Sequence, residues 1–206
     1  MEMKTCILLT AVVSCIILKT ESTILDTMVK RYYHCDEAEI FRCLSPVADF
    51  ENPFDSQLAK FDSEEDLHKM CGVVNEVKSC IGEKLRQCYN TRAKLSVDTI
   101  ENILGYLCGN GKAVFLSEAK CWESEEFLEG MKVCEAVTSN VISNAKDINV
   151  KCDALFDLSE CLAKMTTDVC NYKAGKFMYE MISAGLVPSK RFLRCGLGFR
   201  LGCKFP

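Results

Sequence analysis

Cysteine spacing constrains this chain more than any other feature of it. The stretch "CGVVNEVKSCIGEKLRQC", from Cys71 to Cys88, has eight and then seven residues between its cysteines. The stretch "CDALFDLSECLAKMTTDVC", from Cys152 to Cys170, repeats the phrase with two gaps of eight. Around these trios the cysteines from Cys35 to Cys195 fall into two sets of six: Cys35, Cys43, Cys71, Cys80, Cys88 and Cys108, then Cys121, Cys134, Cys152, Cys161, Cys170 and Cys195. In each set a leading pair precedes the trio and a single cysteine follows it. The order of gaps implies a degenerate duplication, with three disulfides closing inside each half. Six cysteines allow fifteen pairings, and spacing does not choose among them.

Disulfides require an oxidising compartment, and the N-terminus supplies the route. "MEMKTCILLTAVVSCIILKTES" has the layout of a secretory signal peptide: Lys4 as the positive region, an uncharged run over residues 6–18, then small residues at Thr20 and Ser22. The run is well short of the roughly 20 residues that cross a bilayer as a helix. We expect residues 1–22 to be removed and the protein to be secreted, with a propeptide or disordered N-terminus over 23–31 ending at the dibasic Lys30-Arg31. Residues 32–120 then form the first six-cysteine repeat, and 121–206 the second with a basic tail. The removed segment carries two basic and two acidic residues, so the net charge remains −4. Such mild acidity gives no reason to expect a nucleic-acid partner.

The expected fold class is all-α, a disulfide-crosslinked helical array. Proline is absent between Pro53 and Pro188, so nothing there forbids long helices. Val74, Val77, Ile81, Leu85 and Cys88 follow three- and four-residue steps, and Cys152, Leu155, Phe156, Leu162, Met165 and Val169 mark out a similar stripe. Helices are expected over 36–44, 54–61, 64–89, 98–107, 124–142, 150–171 and 173–184. Asp98 with Glu101 reads as a capping box, and Gly185 with Pro188 as the stop of the last helix. Apolar alternation rarely persists beyond four residues, so strands are not expected. At about 100° per residue a step of nine reverses the face. Each trio helix is then a central rod that sends its bridges to different neighbours, each bridge contributing about 2–4 kcal/mol.

Catalytic chemistry has little footing. The two histidines, His34 and His68, form no HExxH or zinc spacing, and no GxSxG or Gly-rich phosphate loop occurs. "SEEDL" and "WESEEF" lack the glycine and alternating oxygens of a calcium loop and read as helix starts. We expect no enzyme activity, no metal and no cofactor. Two features remain. After Glu180 the chain has no acidic residue, while Lys190, Arg191, Arg194, Arg200 and Lys204 are basic and Phe192, Phe199 and Phe205 interleave with them. Such a segment can meet an anionic membrane surface or the acidic vestibule of a channel. The competing reading packs the phenylalanines on the helical body. The candidate target-binding residues are therefore Lys190, Arg191, Arg194, Phe199, Arg200 and Lys204.

A signal sequence, the two trios and "CWESEEFLEGMKVC" between the halves together resemble the invertebrate cysteine-rich secreted proteins. Within these, the centipede scoloptoxin-type venom proteins and the insect haemolymph cysteine-rich glycoproteins are the two similar groups. The resemblance implies either a venom-type toxin binding a membrane target such as an ion channel, or a haemolymph carrier or immune protein enclosing an apolar ligand. No Asn-x-Ser/Thr sequon is present, which departs from a glycoprotein and favours the venom side. The C-x3-C of insect odorant-binding proteins is absent as well.

Cys203 lies beyond both sets of six, and an odd cysteine in a secreted chain points to an intermolecular bond or a free thiol. The expected outcome is a disulfide-linked homodimer through Cys203; the competing pairing is Cys195 with Cys203. A non-reducing gel should show the dimer. Monomer alone, with one alkylatable thiol, refutes it.

Overall fold

Short polar side chains set where the helices begin. In a computed structural model of the protein, residues 35–48, 64–88 and 92–195 are described. Asp36 Oδ1 accepts the Glu39 amide at 3.0 Å and opens α1, Glu37–Ala48. Ser124 Oγ accepts the Phe127 amide and opens α6, Glu125–Asn144, with Glu125 and Glu126 in its first turn. Asp147 caps α7, Ile148–Val169, and Asn171 caps α8, Tyr172–Phe192. Between these lie α2, Glu64–Ile81, with a 3-10 segment over Gly82–Gln87, and α3, Arg92–Cys108. Two short helices follow, α4 at Lys112–Ser117 and α5 at Ala119–Trp122. The described residues contain no strand, so the class is all-α as expected.

The six bonds pair Cys35–Cys88, Cys43–Cys80 and Cys71–Cys108, then Cys121–Cys170, Cys134–Cys161 and Cys152–Cys195. Numbered within each set, both halves join first to fifth, second to fourth and third to sixth. No bond among these twelve crosses between the sets. In each half one bond ties the middle helix to the helix before it, one ties its far end to the chain ahead of that helix, at Cys35 or at Cys121 on α5, and one ties it to the end of the helix after it. The rod is therefore central as expected, but the face argument holds only in part. Cys170 lies at the end of α7 with φ −105° and ψ −84°, where the chain has already left the helix. Its direction is not set by helical phase, so Cys152 and Cys170 bridge to different neighbours.

Packing runs in the order α1, α2, α3, α8, α7, α6, so the two halves meet through their last helices. α3 and α8 are antiparallel: Asn102 Nδ2 donates to Ala184 O at 3.1 Å and Tyr106 Oη donates to Glu180 Oε2 at 2.6 Å. Close approach depends on Gly185, where a Cβ would sit 2.5 Å from Ile103 Cγ1. One large core spans both halves, with Ile103, Leu107, Leu155, Leu162, Met181 and Leu186 fully buried. A second, smaller core lies under α1, built from Ile40, Leu44, Val77, Ile81, Ala93 and Val97.

Several expected boundaries move, each for a physical reason. α8 does not stop at Gly185 and Pro188 but continues to Phe192. Proline has no amide to offer the carbonyl four residues back; here that carbonyl is Ala184 O, and Asn102 supplies the missing donor from the other half. Pro46 inside α1 is accommodated similarly, with Ser45 Oγ donating to Arg42 O at 2.8 Å. Asp98 is no helix cap. It lies within α3, where Lys94 Nζ reaches both its oxygens at 2.8 Å, an i,i+4 pair rather than a terminus. α2 ends sooner than expected, at Ile81, where Gly82 takes φ 35° and the chain tightens into 3-10 turns. The two short helices over 112–122 were not anticipated, and the helix expected over 54–61 lies outside the described residues.

Gly185→Ala should destabilise the protein by about 1–3 kcal/mol, because Ile103 is fully buried and cannot move aside. Ile103→Val removes Cδ1, which the new Cβ would meet at 2.6 Å, while keeping Cγ1, and should recover part of the loss. A double-mutant cycle by urea unfolding reads the coupling. Additive effects refute a Gly185–Ile103 contact as the joint.

Candidate functional site

The basic segment leaves from a rigid base. Lys190 and Arg191 occupy the last turn of α8, where cations complement the helix dipole. Beyond Phe192, Leu193 is buried, and Arg194 takes φ 56° in the left-handed region. The Cys195 amide donates to Lys190 O at 2.9 Å and the Arg194 amide to Arg191 O at 3.1 Å. These two bonds form the double closure that usually places glycine at the left-handed position. Arginine there costs about 1–2 kcal/mol, and the structure sustains it by fixing Cys195 to Cys152.

Of the expected target-binding residues the structure places three. Arg191 and Arg194 are exposed. Lys190 is half-buried, its Nζ 5.8 Å from the centre of the Phe156 ring, and burial pushes its ammonium below the usual range. It belongs to the packing of α8 on α7 more than to a free surface. Phe192 packs against the large core. Phe199, Arg200, Cys203 and Lys204 lie outside the described residues, as does His34. Cys195 is bonded to Cys152, so the competing Cys195–Cys203 pairing is not formed. His68 is exposed on α2, and no group of metal-ligating side chains occurs among the described residues.

Between the halves the interior is filled by rings. Trp122 lies 5.2 Å from Phe127 edge-on, 5.6 Å from Phe177 and 6.3 Å from Phe115, with Tyr106 at 5.6 Å from Phe177. Trp122 Nε1 donates to Phe115 O at 2.9 Å, which satisfies the one polar atom of the indole. The short helices α4 and α5 exist to deliver Phe115 and Trp122 to this place. At the edge of the cluster Tyr106 donates to Glu180, and burial together with that carboxylate holds its phenol well above the usual range.

One group had no signal in the sequence. Glu135 follows Cys134 on α6 and reads as an ordinary charged residue of an amphipathic helix. In the structure its Oε1 is buried without a hydrogen-bond partner, and burial pushes the carboxyl up to about 7. Close by on the helix, Val133 and Val137 are 62% and 60% exposed, beside the exposed ion pair of Lys132 and Glu129.

Fold and bonds thus define a cysteine-rich, all-helical protein crosslinked within its own chain. Residues 35–110 are similar to the AAIM-1 N-terminal domain, whose family model they match. The match begins at the first cysteine of the first set and ends two residues past its sixth. No curated protein matches the chain, and no solved structure does. The expected resemblance is thereby supported in its coarser form, a cysteine-rich helical protein; likeness to the venom or haemolymph groups is not shown.

Glu135 gives the stability a pH dependence with a definite sign. A carboxyl whose folded value is raised binds its proton more tightly when folded. Stability is then greatest in acid and falls as pH rises from the ordinary carboxylate range to about 7. Glu135→Gln should remove this slope and stabilise the protein at pH 8 by about 1 kcal/mol, discounted for the solvent around the rest of the side chain. Thermal unfolding at pH 5 and pH 8 measures it. An unchanged difference between the two pH values for the variant refutes it.

Proposed function

We propose that this is a secreted, non-enzymatic binding protein that acts from its surface on a membrane target, as a venom-type effector acts on an ion channel. The observation that carries the reading is the aromatic cluster where the two halves meet. Where a helical carrier would enclose a ligand, Tyr106, Phe115, Trp122, Phe127 and Phe177 pack ring against ring. Surface chemistry is then what remains, and the cationic run starts at a helix end bonded to α7. Two exposed arginines at a fixed spacing offer planar, permanently charged donors to carboxylates or phosphates. A Cys203-linked homodimer would present two such ends and raise avidity.

The test uses the disulfide-bonded protein on cells carrying the target membrane and on phosphatidylcholine vesicles with and without phosphatidylserine. Binding should be salt-sensitive, and Arg194→Gln with Arg200→Gln should weaken it at least tenfold while leaving the unfolding curve in place. Unchanged binding by the double variant rejects the tail as the contact surface. An apolar ligand extracted in one-to-one amount from the native protein rejects the reading altogether in favour of a carrier.

A further inference from the structure

The twelve bonded cysteines are not equally accessible. Two are exposed, Cys80 and Cys161, and they are equivalent: each is the fourth of its set and bonds the buried second, Cys43 or Cys134. The other eight are buried or half-buried. A thiolate from solution can therefore approach these two bonds from the outer face of the middle helix.

The consequences of opening differ between the halves. Cys134 lies on α6, twenty residues long, which contributes Phe127, Met131 and Ile142 to the large core. α6 is also held at both ends, by Cys121–Cys170 just before it and by a turn of three residues into α7. Cys134 cannot leave Cys161, so the bond re-forms at high effective concentration. Cys43 lies on α1, twelve residues long, which covers only the smaller core. After Ala48 fifteen residues pass before Glu64 begins α2. Ahead of α1, Cys35–Cys88 remains as a hinge. Besides packing, among the described residues an exposed ion pair, Lys84 Nζ to Glu39 Oε1, crosses from the 3-10 segment to α1, and such pairs contribute little.

We propose that the Cys43–Cys80 bond is a redox latch: reduction by a small thiol releases α1 about the Cys35–Cys88 hinge and uncovers the apolar seam between α2 and α3, while the rest of the molecule stays folded. The thiolate attacks Cys80 Sγ, forming a mixed disulfide there as the Cys43–Cys80 bond breaks, and Cys43 departs as a thiolate that takes up a proton. A second thiol attacks the mixed disulfide and frees Cys80. Two thiols are oxidised to one disulfide, and the two electrons reside in the two cysteine thiols. The seam exposed by departure of α1 is lined by Val77, Ile81, Ala93 and Val97, a strip suited to an amphipathic helix.

Graded reduced glutathione applied to the full disulfide-bonded protein, quenched by alkylation and mapped by peptide, tests the order of opening. Hydrogen exchange on the same samples tests the release. Cys43 and Cys80 should be alkylated at the lowest glutathione concentration, with amides of residues 37–48 losing at least tenfold protection and those of 148–192 losing none. Another pair opening first, or all six opening together, overturns the latch. The double variant Cys43→Ser with Cys80→Ser should reproduce the exchange pattern without any reductant. Unchanged protection of 37–48 in that variant overturns the release, and should the variant fail to fold, the glutathione series on the native protein still decides.

Discussion

Among the described residues no disulfide joins the two halves, so beyond the chain that links them they are held by side-chain contacts, and the rest of the architecture follows from how α3 meets α8. Their axes come close because Gly185 has no side chain and Ile103 fills the space. Once they are close, the polar groups along the seam find partners across it: Asn102 with Ala184 and Tyr106 with Glu180. The chain between the halves then has one place to go, over the end of this pair. There α4 and α5 tuck Phe115 and Trp122 against Phe177. The aromatic cluster is thus a product of the seam, and it closes the space that a looser helix pair would leave.

The same pairing order in both halves gives each middle helix two kinds of neighbour. Toward the preceding helix and the chain just ahead of it the middle helix is stapled twice, and toward the following helix once. Stapling of this sort limits how far an edge helix can stray, yet α1 and α6 differ in how much apolar surface they bury. α6 belongs to the large core, whereas α1 sits over a satellite cluster. Local stability is expected to follow this difference, since few buried contacts mean cheap local opening. The half similar to the AAIM-1 N-terminal domain is the one with the lighter edge.

Helical class, the central role of the trio helices and closure within each set were all legible in the residues, because cysteine spacing and apolar steps report helical phase directly. The pairing itself was not, since phase fails at Cys88 and Cys170, which lie beyond the helices they follow. Helix ends that depend on distant partners were equally hidden. Pro188 reads as a stop until Asn102, 82 residues away from Ala184, completes the backbone. Asp98 read as a cap because sequence cannot show that Ala93, Leu95 and Val97 are already buried ahead of it. At the candidate site, Arg191 and Arg194 were found by charge alone. The engagement of Lys190 with Phe156 and the orphaned oxygen of Glu135 needed the tertiary neighbours.

Because no bond joins the first six cysteines to the second six, the chain need not solve its crosslinking as one problem. Twelve cysteines have about ten thousand complete pairings, whereas six have fifteen. Synthesis runs from the N-terminus at roughly 5–20 residues per second, so Cys108 emerges before Cys121, the first of the second set. Three bonds close over α1, α2 and α3 and three over the second half, so each set chooses among fifteen pairings of its own. A finished first half also presents Asn102 and Ile103 as a template for α8, the last helix to arrive. Separation of the two sets along the chain thus turns one search over twelve cysteines into two searches over six.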